Sequence, residues 1–205
     1  MRKLLTTDFL GKTFASPLVL VSGVYTQNQD FLNAQNNGAG AITTKSYTYF
    51  PRKGHPAPVV AKFSSGFINS VGLRNAGIAE AKKQLRELKK LMQIPVFVSI
   101  FDTKIKDFAQ LILHLIPLKP EFIELNLSCP NVDLEFGKTL ATSSESAYEV
   151  VKTVKKLVND EVKIIAKLTP NVANIAEVAK ACERAGVDAI SAVNTVSQGM
   201  IIDLR

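Results

Sequence analysis

Asn126-Leu127-Ser128-Cys129-Pro130-Asn131 sets three polar side chains and a thiol directly after a short apolar strand, Phe122 to Leu125. In parallel α/β folds the carboxyl end of a buried strand is where ligands bind and chemistry happens. A thiol with an ordinary pKa of about 8.5 can serve as a base near neutral pH with modest tuning. The neighbours of Cys129 are a hydroxyl, a proline and two amides, a polar setting that suits a reactive rather than an inert thiol. Cys182, beside Ala179 and Ala181 in a helical stretch, reads instead as a packing residue.

A further set of residues falls at expected strand ends or in one long loop: Ser22, Lys45, Asn69, Ser70, Val71, Gly72, Leu73, Ser99, Lys167, Asn194 and Thr195. They are amides, hydroxyls and two lysines around one thiol, with no histidine and no carboxylate cluster. His55 lies in a proline-rich loop and His114 on a helix, so a histidine-based triad and metal catalysis are both disfavoured. Amides with lysines suit a flat, polar, anionic ligand that donates and accepts hydrogen bonds.

The elements that would gather these residues alternate between strand and helix. A hairpin with Gly11 at its turn opens the chain. Strands are expected at 17–21, 41–45, 95–100, 122–125, 162–167 and 187–193. Helices are expected at 29–37, 78–92, 104–116, 144–158 and 171–185, the last closed by Gly186. The segment 46–77 holds five prolines and glycines between Pro51 and Gly66 and no sustained helical period, as in a functional loop. Such repeats imply a parallel sheet, either open and doubly wound or closed as a (β/α)8 TIM barrel. The closely spaced glycines of a dinucleotide site are missing after the first strand, which favours the barrel. About six β/α units are present, so residues 1–205 read as a single, incomplete barrel domain.

The formal charge of +7 is spread over helical faces that also carry acids, and no basic block interleaves with aromatics. That pattern suits solvated helices rather than a nucleic-acid surface. No run is long enough to span a membrane, no signal peptide is evident, and two cysteines make no disulfide framework. A cytoplasmic protein is expected.

The set Thr44-Lys45-Ser46, Asn69-Ser70-Val71-Gly72-Leu73-Arg74-Asn75, Asn126 to Asn131, Lys167-Leu168-Thr169-Pro170-Asn171 and Asn194-Thr195 resembles the soluble class 1 dihydroorotate dehydrogenases. The tail Gly199-Met200-Ile201-Ile202-Asp203 is more similar to subclass 1B, whose electrons pass to NAD through a partner subunit. The resemblance implies a TIM-barrel enzyme of pyrimidine synthesis that oxidises dihydroorotate to orotate at bound FMN. It implies Cys129 as the base for the C5 proton. Lys45, Asn69, Ser70, Val71, Gly72, Leu73, Asn126, Asn131, Asn194 and Thr195 match positions that hold the substrate. Ser22, Lys45, Ser46, Ser99, Asn126, Lys167 and Val193 match positions around the flavin, with Ser99 standing where some relatives carry asparagine. A homodimer and an FAD and iron–sulfur electron-transfer subunit are the implied partners.

Other readings of the same residues are a related dihydropyrimidine dehydrogenase, a Schiff-base lyase using Lys167, and a non-catalytic remnant. The family's FMN phosphate is held by loops after strands seven and eight, which have no counterpart here. The sequence therefore leads one to expect a fragment or a split protein that binds FMN poorly by itself, with strand edges exposed.

Overall fold

The computed structural model describes residues 5–128, 132–133, 138–139, 143–196 and 199–202, with only the backbone at 132–133 and 138–139. Its elements are β1 (Thr7–Phe9), β2 (Lys12–Phe14), β3 (Val19–Leu20), α1 (Asn28–Asn36), β4 (Ala41–Thr43), β5 (Val60–Phe63), β6 (Gly66–Asn69), α2 (Gly77–Leu91), β7 (Val96–Ile100), α3 (Ile105–Leu115), β8 (Phe122–Asn126), β9 (Val132–Asp133), β10 (Lys138–Thr139), α4 (Ser144–Lys155), β11 (Lys163–Lys167), α5 (Ile175–Arg184) and β12 (Ala189–Ser191).

Six of the strands form one curled parallel sheet in the order β12-β11-β8-β7-β4-β3. Spatial order follows chain order without a reversal. A doubly wound sheet must reverse at its switch point, so the open alternative is set aside and the sheet is a sector of a (β/α)8 barrel. Register is continuous across its centre: Phe97 pairs with Phe122, Ser99 with Glu124, and Asn126 with Lys167.

Alternation along each strand sorts side chains onto two faces. Ile42, Val98, Ile100, Ile123, Leu125, Ile164 and Ala166 point to the helices and pack with Leu88, Leu111, Leu115, Val150 and Val154. Ala41, Phe97, Phe122 and Ile165 point the other way, into the barrel. There they meet Phe14, and Phe9 packs at the edge of the same group. The Phe97 and Phe122 rings lie 4.7 Å apart, and Phe9 stacks 6.2 Å from each. The opening hairpin β1–β2 thus supplies an aromatic floor at the amino ends of the strands.

Helix starts follow local chemistry. The Ser143 hydroxyl accepts from the Ser146 N–H ahead of α4, and the Asn174 side chain accepts from the Ala176 and Glu177 N–H groups ahead of α5. An asparagine at the N-cap has extended backbone, so α5 begins at Ile175 rather than at 171 as the periodicity suggests. Asp188 fixes the entry to β12: its Oδ2 accepts from the Ile164 N–H at 2.8 Å and from Lys155 Nζ at 2.9 Å.

Three expectations change. The segment 46–77 contains the antiparallel pair β5–β6, joined by Ser64-Ser65. Each arm has only four residues between turn formers, too few to give a clear period. The outer strands, expected at 17–21 and 187–193, pair over only Val19–Leu20 and Ala189–Ser191. Each has a single neighbour among the described residues, and a strand without a second partner is not held extended over its full apolar length.

Two outcomes follow. Phe122→Ala, which removes the centre of the aromatic floor, is expected to lower stability by about 3–5 kcal/mol in urea unfolding. Cys182 is fully buried and its thiol is pushed up to about 11 by burial. Iodoacetamide in neutral buffer should leave Cys182 unlabelled in the folded chain and label it in urea, as read by peptide mass spectrometry.

Candidate functional site

Above the aromatic floor the inward positions turn polar. Ser99 follows Phe97 by two residues, Glu124 and Asn126 follow Phe122 by two and four, and Lys167 follows Ile165 by two. All four side chains are buried: Ser99 is fully so, and Glu124, Asn126 and Lys167 keep 4–6% exposure. The same alternation that builds the floor therefore places a carboxylate, an ammonium, a hydroxyl and an amide in a layer above it.

Lys45 and Ser46 join this layer through a local irregularity. The Thr44 N–H donates to the Phe97 carbonyl, and the Tyr47 N–H to the Ser99 carbonyl. Three residue steps on one chain match two on its partner, so the surplus residue arches out, as at a bulge. The Ser99 N–H, at 3.1 Å from Thr44 Oγ1, closes the arch from the other side. Ser46 Oγ then lies 2.9 Å from Ser99 Oγ, and Asn126 Nδ2 donates to Ser46 Oγ at 3.2 Å.

The charges are arranged around Glu124. Its Oε1 accepts from Ser99 Oγ at 3.0 Å and lies 4.0 Å from Lys167 Nζ. At that separation the pair interacts by charge rather than by a direct hydrogen bond. Lys167 instead donates to Ser22 Oγ at 3.2 Å. Burial raises the Glu124 carboxyl above the ordinary range, with Lys167, Ser99 and Ser22 pulling it partly back. Burial and the repulsion of Lys167 lower Lys45. One carboxylate set against two ammonium groups leaves the layer with a surplus positive charge, a setting that favours an anion.

The carbonyl side of Asn126 faces the strand ends. Its Oδ1 accepts from the Ser128 N–H at 3.2 Å, from Asn194 Nδ2 at 3.2 Å and from the Ser128 hydroxyl, which also accepts from Asn194. Asn194 is positioned by its own N–H, which donates to the Leu168 carbonyl at 2.9 Å.

A second cluster holds the segment Asn69 to Leu73. The Ser70 N–H donates to the Val59 carbonyl, and the His55 N–H to the Val71 carbonyl; residues Arg52 and Asn75 exchange both backbone bonds. His55 Nδ1 lies 2.7 Å from Ser70 Oγ, and Arg74 donates to the Lys53 and His55 carbonyls. Gly72 has φ +68, and a Cβ there would stand 2.8 Å from the His55 nitrogen, so the turn requires glycine.

The structure thus joins Ser22, Lys45, Ser46, Ser99, Asn126, Lys167 and Asn194 in one polar layer. Asn69, Ser70, Val71, Gly72 and Leu73 form the separate clamped segment. Thr195 accepts a bond from Asn171 at its carbonyl, and Val193 is half exposed. Cys129 and Asn131 lie outside the described residues. Sequence reasoning missed Glu124 and His55. Glu124 was hidden inside a run read as an apolar strand, although its two-residue phase with Asn126 puts it on the ligand side. Among the described residues no helix is long and apolar enough to cross a membrane, and no three metal-ligating side chains cluster.

The family model described as dihydroorotate dehydrogenase matches residues 4–205. The chain is 40% identical over 202 residues to the catalytic subunit of dihydroorotate dehydrogenase B (NAD(+)) of Pyrococcus abyssi, covering 98% of this chain and 65% of that protein. It is 36% identical over 206 residues to the subunit of the same name from Methanocaldococcus jannaschii, with 98% and 66% covered. The Geobacter sulfurreducens subunit of that name is 36% identical over 203 residues, with 98% and 65% covered. The chain spans just under two thirds of the length of these relatives.

Because repulsion from Lys167 helps to lower Lys45, Lys167→Met is expected to move the Lys45 titration midpoint upward, toward its ordinary value. Following the Lys45 ¹³Cε resonance against pH checks the sign.

Proposed function

The chain belongs to the dihydroorotate dehydrogenase family, and on that premise we propose that it oxidises dihydroorotate to orotate with FMN as its bound flavin. The observation that carries the reading is the polar layer at the carboxyl ends of the strands. Two lysines, one balancing carboxylate and an oriented carboxamide line it. Ammonium groups and serine hydroxyls donate, and the Asn126 amide offers both polarities, a donor set that fits the carbonyl-rich edge of a flat heterocycle. Ser22, Lys45, Ser46, Ser99, Asn126, Lys167 and Val193 are the residues that would hold the flavin.

Bound FMN supplies an acceptor for the hydride that leaves C6 of dihydroorotate. The chain's own residues do the rest. Cys129 takes the proton from C5, so a proton and a hydride depart from adjacent carbons and a C5–C6 double bond forms. Lys45 faces the substrate carboxylate and opposes its negative charge. Asn126, Asn131, Asn194 and Thr195, with the segment Asn69, Ser70, Val71, Gly72 and Leu73, hold the ring by its amide edges. The clamp of His55 and Arg74 keeps that segment in one conformation. The lysine that sits nearest the flavin edge would favour the reduced, more negative state electrostatically.

The relatives are named as catalytic subunits of an NAD(+) enzyme. That supports electron passage to NAD through a partner subunit, and we propose that the partner carries FAD and an iron–sulfur cluster and that the catalytic chain pairs as a homodimer.

The test is dihydroorotate oxidation by flavin-loaded protein, followed by orotate absorbance with an added electron acceptor. Cys129→Ser is expected to lower turnover by about 10²- to 10⁴-fold near neutral pH while orotate still binds. Turnover equal to that of the unaltered chain would remove Cys129 from the base role. Failure of the unaltered, flavin-loaded chain to form orotate would defeat the reading as a whole.

A further inference from the structure

Glu124 is the one buried carboxylate among the described residues that faces the barrel interior, and no step of the proposed reaction uses it. Its contacts form a hydrogen-bond chain with a fixed direction. At one end stands a carboxylate, which only accepts. At the other stands the Ser128 backbone N–H, which only donates. It donates to Asn126 Oδ1 at 3.2 Å, so the Asn126 Nδ2 group must point the opposite way, to Ser46 Oγ at 3.2 Å. Ser99 spends its single O–H on Glu124 Oε1 at 3.0 Å. In the 2.9 Å contact between Ser46 and Ser99, Ser99 must therefore accept and Ser46 donate. The chain reads Asn126 amide to Ser46 hydroxyl to Ser99 hydroxyl to Glu124 carboxylate. Each link polarises the next in the same sense.

We propose that Glu124, as a carboxylate, is a positioning residue that sets the direction of the Ser99 and Ser46 hydroxyls and through them polarises the Asn126 carboxamide. When Glu124 takes up a proton it gains an O–H that can donate to Ser99. The Ser99 hydroxyl then turns its hydrogen toward Ser46, the Ser46 O–H loses its acceptor and turns away, and Asn126 Nδ2 keeps a Ser46 lone pair on an oxygen that no longer passes charge on to a carboxylate. The charge on Glu124, deep in the layer, thereby sets how strongly the Asn126 amide is polarised. Ser99 is the hinge of this relay.

The groups that face Glu124 define its titration. From β11 comes Lys167 at 4.0 Å, from β7 the Ser99 hydroxyl, and from the loop after β3 the Ser22 hydroxyl; Lys45, after β4, repels Lys167. Burial of the carboxyl moves its protonation above the ordinary carboxylate range, and the relay changes sense as pH falls through it.

The relay stands on geometry alone, whereas its consequence for ligand binding rests on the proposed function. The test uses the full chain without added ligand, isotope-labelled, with the Asn126 side-chain NH₂ resonances assigned by loss in Asn126→Ser. The expected result is an inflection in those resonances that coincides with the titration of the Glu124 ¹³Cδ signal. In Ser99→Ala the Glu124 signal still titrates, with its midpoint moved further up by the lost hydrogen bond, but the Asn126 inflection disappears. Glu124→Gln abolishes the inflection as well; should that variant not fold, Ser99→Ala decides alone. Asn126 resonances that stay flat through the Glu124 titration, or an inflection that persists in Ser99→Ala, would overturn the proposal. In flavin-loaded protein Ser99→Ala should also weaken orotate binding by about two- to tenfold. Orotate that fails to bind the unaltered protein counts against the proposed function and leaves the relay standing.

Discussion

A change of character along the inward faces of the strands is the constraint on which the site depends. Phe97 and Phe122 pair side by side, and one pleat further on Ser99 pairs with Glu124. Because side chains alternate, the residues that seal the barrel and the residues that could bind a ligand lie on one face, two positions apart. A slip of one residue between β7 and β8 would send Glu124 and Asn126 among the helices and bring Ile123 and Leu125 inside. The apolar packing of both faces therefore enforces the placement of the polar layer, and no separate scaffold is needed to hold it.

Burying charge in that layer is costly unless each group finds a partner. The solution here is distributed. Glu124 has a cation at 4.0 Å and a hydroxyl at 3.0 Å, Lys167 has the Ser22 hydroxyl, and Lys45 keeps partial access to water. The arrangement leaves positive charge in excess, and the carboxylate occupies the deepest place. A site built to hold a cation would need the opposite balance.

Much of this was legible from residue types and spacing. The six strands, their parallel order and the strand-end lysines follow from apolar runs punctuated by glycine and by capping residues, and the barrel reading is matched by the sequential sheet. Cys182 proved to be core, as its alanine neighbours implied. What could not be read is instructive. Glu124 was passed over inside an apolar strand, because a run of four residues does not reveal which face is concave. The β5–β6 pair was invisible because its arms are too short to show a period. His55 was set aside with its proline-rich loop, since only the folded chain brings residue 55 beside residue 70. Ser99 was noted as a departure from some relatives, and its place between Ser46 and Glu124 gives that departure a physical meaning.

The clamp on the segment from Asn69 to Leu73 has its own consequence. Backbone bonds from Ser70 to Val59 and from His55 to Val71, with the Arg52–Asn75 pair and the Arg74 fork just beyond the segment, tie those residues down within the chain itself. Fixing a residue's backbone costs about 1–2 kcal/mol of conformational entropy. For this loop the loss is incurred when the chain folds, not when a guest arrives. Any guest that met this segment would find its backbone already tied, and little of the contact energy would be consumed in taming it.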